Sequence, residues 1–353
     1  MDAVLQVNDL AVHFLTPEGT VYAVNGISFS LDNSETLAVV GESGCGKSVT
    51  MLSILGLIPI PPGQIVKGNA MYQEMDLLHS TEAQLELIRG KEISMIFQDP
   101  MTSLNPVLTI KKQITESLQR HMGLDMEKAT QQAIALLNQV GLSDAQQRLN
   151  DYPHQFSGGM RQRVMIAIAL ACMPRILIAD EPTTALDVTI QAQIVELVIA
   201  LRERLGMAMI WITHDLGVVA GLADRVIVMY AGCIVEEAPV TQVYENPRHP
   251  YTMALLAALP RADLRRNQRL KSIPGAPPTL HAEIHGCPFA PRCDFAIDHC
   301  WSENPSPLQL PPERGRVSLL LPSEQATATG GRFDKRSLHR IACWVDVQTG
   351  KAR

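Results

Sequence analysis

Gly41-Glu-Ser-Gly-Cys-Gly-Lys-Ser48 decides how this chain is read. The pattern Gly-x-x-x-x-Gly-Lys-Ser is a phosphate-binding loop when a strand leads into it and a helix leads out. Thr36–Val40 is a continuous apolar run of the kind a buried strand carries, and Val49–Leu55 has helical texture. Gly41, Gly44 and Gly46 permit backbone angles that turn successive N–H groups inward on an anion. The helix that follows adds the positive end of its dipole. Lys47 then reaches the β- and γ-phosphates of a nucleotide and the Ser48 hydroxyl ligates Mg²⁺, with Glu42, Ser43 and Cys45 bordering the same site. The loop alone does not say which reaction it serves.

Bulk properties narrow the choice. The chain has 353 residues, 46% of them hydrophobic, enough for a sizeable core and more than one domain. Its net charge of −6 disfavours a nucleic-acid partner. No charged-then-apolar leader precedes Val4–Val7, and no apolar run reaches the ~20 residues a membrane span needs. The longest candidate, Val164–Ala179, is broken by Pro174 and Arg175. A cytosolic protein is expected, with any membrane role exerted through a partner. Seven cysteines, an odd count, argue against a disulfide framework.

Along the chain, Val4–Val7, Ala11–Phe14 and Val21–Leu31 read as short β segments. Lys91–Phe97 reads as a strand ending at Gln98. Ile110–Met122, Met126–Val140 and Gly158–Ala171 carry helical spacing, so residues from about 100 to 172 form a helical insertion. Strand patterns return at Arg175–Ala179, Met207–Ile212 and Arg225–Tyr230, with a helix over Ile190–Leu205 between the first two. Strands alternating with helices predict an α/β fold with a largely parallel sheet. Regularity fades after Glu245 and prolines accumulate, which places a domain boundary between 245 and 246 and a loop-rich extension over 246–353.

Two further stretches carry chemistry. Arg175–Glu181 places two carboxylates at the end of a buried strand. Asp180 is positioned to accept a Mg²⁺-bound water, and Glu181 to polarise a water that attacks a γ-phosphate. An acid before Pro182 could instead cap a helix. Ser157-Gly158-Gly159 precedes a long helix; it is either a plain N-cap or a second anion-binding helix N-terminus.

In this order, these features resemble the ATP-binding cassette (ABC) transporter ATPases over about residues 4–245. Phe156 and Met160 stand where that family carries Leu and Gln, which leaves the backbone contacts of Ser157, Gly158 and Gly159 intact. The resemblance implies a P-loop ATPase with a RecA-like parallel core and an N-terminal antiparallel β segment. It further implies that Gln98 touches Mg²⁺ and the lytic water, that His214 contacts the γ-phosphate, and that Thr184–Asp187 faces a second subunit. Phe14 would stack on adenine, with Tyr22 as the rival. ATP would be sandwiched between two homologous chains, one giving Lys47 and the other Ser157.

A narrower resemblance spans nearly the whole chain. Asn246–Thr252, Ser272–Pro278 and Cys287-Pro-Phe-Ala-Pro-Arg-Cys293 resemble the ATPase subunits of oligopeptide and dipeptide importers, with nickel-type importers close by. It implies a heterodimer with a second ATPase, two transmembrane permeases, an external solute-binding protein, and a peripheral place on the cytoplasmic face of the membrane. The alternatives are transport of nickel or another small solute, or a soluble ABC ATPase without a transport role. Cys287, Cys293, Cys300 and Cys343 suit a 4Fe–4S cluster or a structural Zn²⁺, with four free thiols as the plain alternative; the resemblance implies the 4Fe–4S cluster, with Zn²⁺ as the alternative metal.

Overall fold

The computed structural model describes residues 3–184, 186–259, 272–310 and 338–352. Two long strands open the chain, β1 (Ala3–Thr16) and β2 (Gly19–Asp32), paired antiparallel around a tight turn. β3 (Thr36–Val40) leaves this layer to start a second sheet and runs into α1 (Lys47–Ile54). β4 (Gly63–Tyr72) and β5 (Met75–Asp76) return to the first layer, giving an antiparallel sheet in the order β2-β1-β4-β5.

β1 merges two segments expected to be separate. Asp9 takes φ 49°, and the pairing shifts register around it without ending. A bulge lets the strand absorb the polar Asn8-Asp9 step while its apolar residues keep facing the core. β4 was not foreseen. A Cβ on Gly68 would lie 2.7 Å from Leu10 Cα. The glycine is there because β4 crosses the bulge at backbone contact.

The second sheet takes its remaining strands from β6 (Ile93–Ile96), β7 (Ile176–Asp180), β8 (Ala208–Thr213), β9 (Arg225–Tyr230), β10 (Cys233–Pro239), β11 (Leu308–Leu310) and β12 (His339–Ile341). Its order is β11-β12-β10-β9-β3-β8-β7-β6. The pairs from β9 through β6 are parallel; β10, β12 and β11 extend the sheet antiparallel. Every residue of β3, β7, β8 and β9 is buried, as expected of parallel strands covered on both faces. The C-terminal region therefore adds strands to the cassette's own sheet.

α2 (Glu82–Ile88) and the single turn α3 (Pro100–Ser103) flank β6. The helical insertion follows as α4 (Ile110–Met122), α5 (Met126–Gln139), α6 (Ala145–Arg148) and α7 (Gly158–Leu170). Its starts are written in the caps. Thr109 and Asp125 side chains accept from the Lys112 and Lys128 N–H groups, and Gly123 ends α4 in the left-handed region. Ile114, Leu118, Ala133, Leu137 and Val164 form a core continuous with Trp211 on β8, so the insertion packs on one face of the sheet. α8 (Val188–Leu205) covers the same face. No helix among the described residues is long and apolar enough to cross a membrane.

Candidate active site

The phosphate loop lies between β3 and α1, at the carboxyl end of the parallel strands, where open α/β sheets bind their ligands. Its glycines are required by contact. A Cβ on Gly46 would stand 2.4 Å from the Ala23 carbonyl, at φ 98°, and one on Gly41 would stand 2.2 Å from the Met229 carbonyl. Gly44 faces open space on its Cβ side. Lys47 is buried, its ammonium donating to the Gly41 and Glu42 carbonyls at 2.8 and 2.9 Å. Cys45 lies beneath it, and burial pushes its thiol upward, partly offset by the neighbouring Lys47.

The Ser48 hydroxyl donates to Asp180 Oδ1 at 2.8 Å. Burial raises the Asp180 carboxyl above its ordinary range; the Ser48 bond works against this, and Glu181 adds to it. A hydroxyl and a carboxylate side by side form a hard-oxygen donor set of the kind Mg²⁺ takes. These residues fit the ion and the nucleotide phosphates together.

Glu181 is the hub of the site. It sits just past β7 at φ 45°, a left-handed conformation that a non-glycine residue adopts at a cost of about 1 kcal/mol or more. Its N–H donates to the Ile212 carbonyl, which holds it against β8. One carboxylate oxygen, Oε2, receives three groups: Gln98 Nε2 at 3.2 Å, Thr184 Oγ1 at 2.9 Å and His214 Nδ1 at 3.3 Å. Residues from three separate stretches thus meet on one oxygen. The sequence reading selected Gln98, Glu181 and His214 but gave the Thr184 hydroxyl no part. A threonine three residues past an acid is too common a pattern to stand out.

Ser157, Gly158 and Gly159 begin α7, and Ser157 Oγ accepts from the Met160 N–H at 3.4 Å. Ser157 and Gly158 are exposed. Gly158 faces Leu186 and Gly159 faces Ile190, so this helix start stands beside the loop before α8 and the first turn of α8. Ala185, within the expected subunit-facing loop, lies outside the described residues. Phe14 packs against the N-terminal core, near Gly63. Tyr22 lies across from His13, ring centroids 4.6 Å apart, one residue before the Ala23 carbonyl that packs on Gly46.

One expectation is overturned. Among the described residues no group of three or more His, Cys, Asp or Glu is placed to hold a metal ion. Cys287, Cys293, Cys300 and Cys343 are thiols in one neighbourhood. Burial is the main cause that pushes Cys287 up to about 12 and Cys293 up to about 11. Cys343 Sγ accepts from the Val345 N–H, and the backbone N–H of Cys287 donates to the Cys300 carbonyl. The 4Fe–4S cluster, and Zn²⁺ with it, is withdrawn.

A sequence profile described as ABC transporter matches residues 24–184, and one described as Oligopeptide/dipeptide transporter, C-terminal region, matches 235–300. The oligopeptide transport ATP-binding protein OppD of Bacillus subtilis is 52% identical over 301 residues, covering 85% of this chain and 84% of that one. The chain belongs to the ATP-binding subunits of oligopeptide and dipeptide ABC transporters. Another relative is a probable peptide ABC transporter ATP-binding protein, y4tR of Sinorhizobium fredii. It is 51% identical, covering 86% of this chain and 91% of its own length. Among solved structures, a dimeric ATP-binding cassette, MJ0796, in a post-hydrolysis state with ADP and Pi, superposes with a TM-score of 0.60. It is 27% identical and covers 67% of this chain and 98% of its own. The relatives' names specify peptides, which turns the reading away from nickel and, like the cysteine geometry, away from an iron–sulfur protein. As an ABC ATPase the chain binds and hydrolyses ATP.

Proposed function

We propose that this chain energises uptake of di- and oligopeptides by hydrolysing ATP at a site built on Lys47, Ser48, Gln98, Asp180, Glu181 and His214. The observation that carries the reading is the convergence of Gln98, Thr184 and His214 on Glu181 Oε2, beside the Ser48–Asp180 pair.

The roles follow from chemistry. The loop N–H groups and Lys47 would bind the phosphates, and Ser48, Asp180 and Gln98 would hold Mg²⁺. When bound, that ion neutralises charge on the phosphate oxygens. Glu181 orients a water and accepts its proton, with Gln98 and Thr184 fixing the carboxylate. His214, more than half exposed, is free to turn toward the γ-phosphate. Tyr22 takes the adenine in preference to Phe14, because β2 joins it directly to the wall of the loop.

Ser157, exposed at the start of α7, serves a second ATPase chain across a head-to-tail pair. Closure of that pair drives two permeases fed by an external binding protein, with this chain on the cytoplasmic face. The cassette ends near residue 245, and the extension from 246 modulates it.

Reconstitution with its permease subunits in proteoliposomes tests the reading. ATP-dependent accumulation of labelled di- or tripeptide, and not of Ni²⁺, is expected. ATP hydrolysis with no peptide movement in a complete complex would overturn it.

A further inference from the structure

An acidic residue is an awkward tenant of a loop that binds polyphosphate. Glu42 is the second residue of this loop, its carbonyl contacts Lys47, and its carboxylate is three-quarters buried. Left alone, that charge would repel the anion and raise the cost of its own burial. It is not left alone. Arg292, some 250 residues further along in the C-terminal region, forks onto it, with Nη1 to Oε2 at 2.7 Å and Nη2 to Oε1 at 3.1 Å.

The fork is itself held. Arg292 Nε donates to the Pro274 carbonyl at 2.8 Å, and Nη1 also donates to the Tyr230 hydroxyl at 3.2 Å. The guanidinium carbon lies 5.8 Å from the Tyr230 ring centre. Tyr230 packs tilted against Tyr251 and edge-on against Phe289, ring centroids 4.6 and 5.2 Å apart, and the Tyr251 hydroxyl accepts from the Glu42 backbone N–H at 2.8 Å. The Arg292 side chain is only 5% exposed. A second tie reaches the other wall of the site, where the Tyr22 N–H donates to the Leu280 carbonyl at 2.7 Å. The C-terminal region therefore grips the nucleotide site at the loop and at the strand beside it.

We propose that Arg292 is a positioning residue for the ATP-binding loop: it neutralises Glu42 and fixes the loop's first turn, so the C-terminal region sets the affinity for ATP. The proposal rests on the reading of Gly41–Ser48 as the ATP site.

Calorimetric titration of ATP into the full chain, in a Glu181→Gln background, tests it. Arg292→Met strands the Glu42 charge, and the dissociation constant is expected to rise by about tenfold or more. Adding Glu42→Gln to Arg292→Met removes that charge and is expected to restore most of the affinity. A merely structural arginine would show no such rescue. Glu42→Gln alone leaves a net positive guanidinium beside the loop and should tighten ATP binding several-fold. This second variant serves if Arg292→Met does not fold.

Arg340→Ala is the control for general damage to the C-terminal region, because Arg340 pairs with Glu237 away from the loop. Lys47→Ala separates the two readings. If it leaves affinity unchanged, the ATP site is misassigned. If it abolishes binding while Arg292→Met stays within twofold of the parent, or Glu42→Gln fails to tighten binding, the role given to Arg292 is wrong.

Discussion

The Ser48 hydroxyl donates to Asp180 Oδ1 at 2.8 Å across 132 residues of sequence. One residue lies in the first turn of α1 and the other closes β7, with β8 between β7 and β3 in the sheet. Parallel register brings both to the same edge, so the pair reports directly on correct assembly of the core. Ser48→Ala removes one proposed ligand of the ion and leaves the packing of α1 intact. The Mg²⁺ concentration giving half-maximal ATPase is expected to rise about tenfold, or ~1.4 kcal/mol. An unchanged Mg²⁺ dependence would remove Ser48 from the metal site.

Gly46→Ala tests the loop's geometry. The added methyl carbon would stand 2.4 Å from the Ala23 carbonyl on a backbone at φ 98°. The strain is expected to cost about 1–3 kcal/mol and to lower the thermal midpoint by several degrees. ATP-induced stabilisation should vanish at the same time. A variant with wild-type midpoint and ATP response would show that the loop is not held against β2.

Cys45 offers a chemical probe. A thiol inside a nucleotide loop invites alkylation, but this one is buried and its titration is displaced upward. The thiolate fraction at neutral pH is therefore below that of a free cysteine, and it grows as pH rises. Alkylation of native protein should be much slower than that of the denatured chain at pH 7, and should accelerate above pH 9. Labelling at the denatured-chain rate would mean that the loop opens freely.

The residues proposed for catalysis stand out in the sequence, because they end buried strands or begin helices. Asp180 and Glu181 follow the wholly apolar Ile176–Ala179, and Gln98 follows shortly after Ile93–Ile96. What escaped was chemistry that depends on approach rather than on pattern. Neither the close crossing at Gly68 nor the bond from the Thr184 hydroxyl to Glu181 has a sequence signature. Arg292 lay in a proline-rich tail whose nearby cysteines drew the reading toward a metal. Its true partner, Glu42, is 250 residues away, and no local periodicity links them. The β4 crossing can be checked in the same way. Gly68→Ala places a methyl carbon 2.7 Å from Leu10 Cα and should destabilise the N-terminal sheet by about 1–3 kcal/mol. A neutral effect on urea unfolding would contradict the close crossing.

The central claim is that Glu181 activates the water for ATP hydrolysis, held by Gln98, Thr184 and His214. Glu181→Gln keeps the size of the side chain and removes the base. The most direct measurement is ATP affinity and steady-state ATPase of this variant side by side, in the assembled transporter. Affinity within a few-fold of wild type, with turnover down about 100-fold or more, is the predicted result. Turnover near wild type with Glu181→Gln would contradict the account.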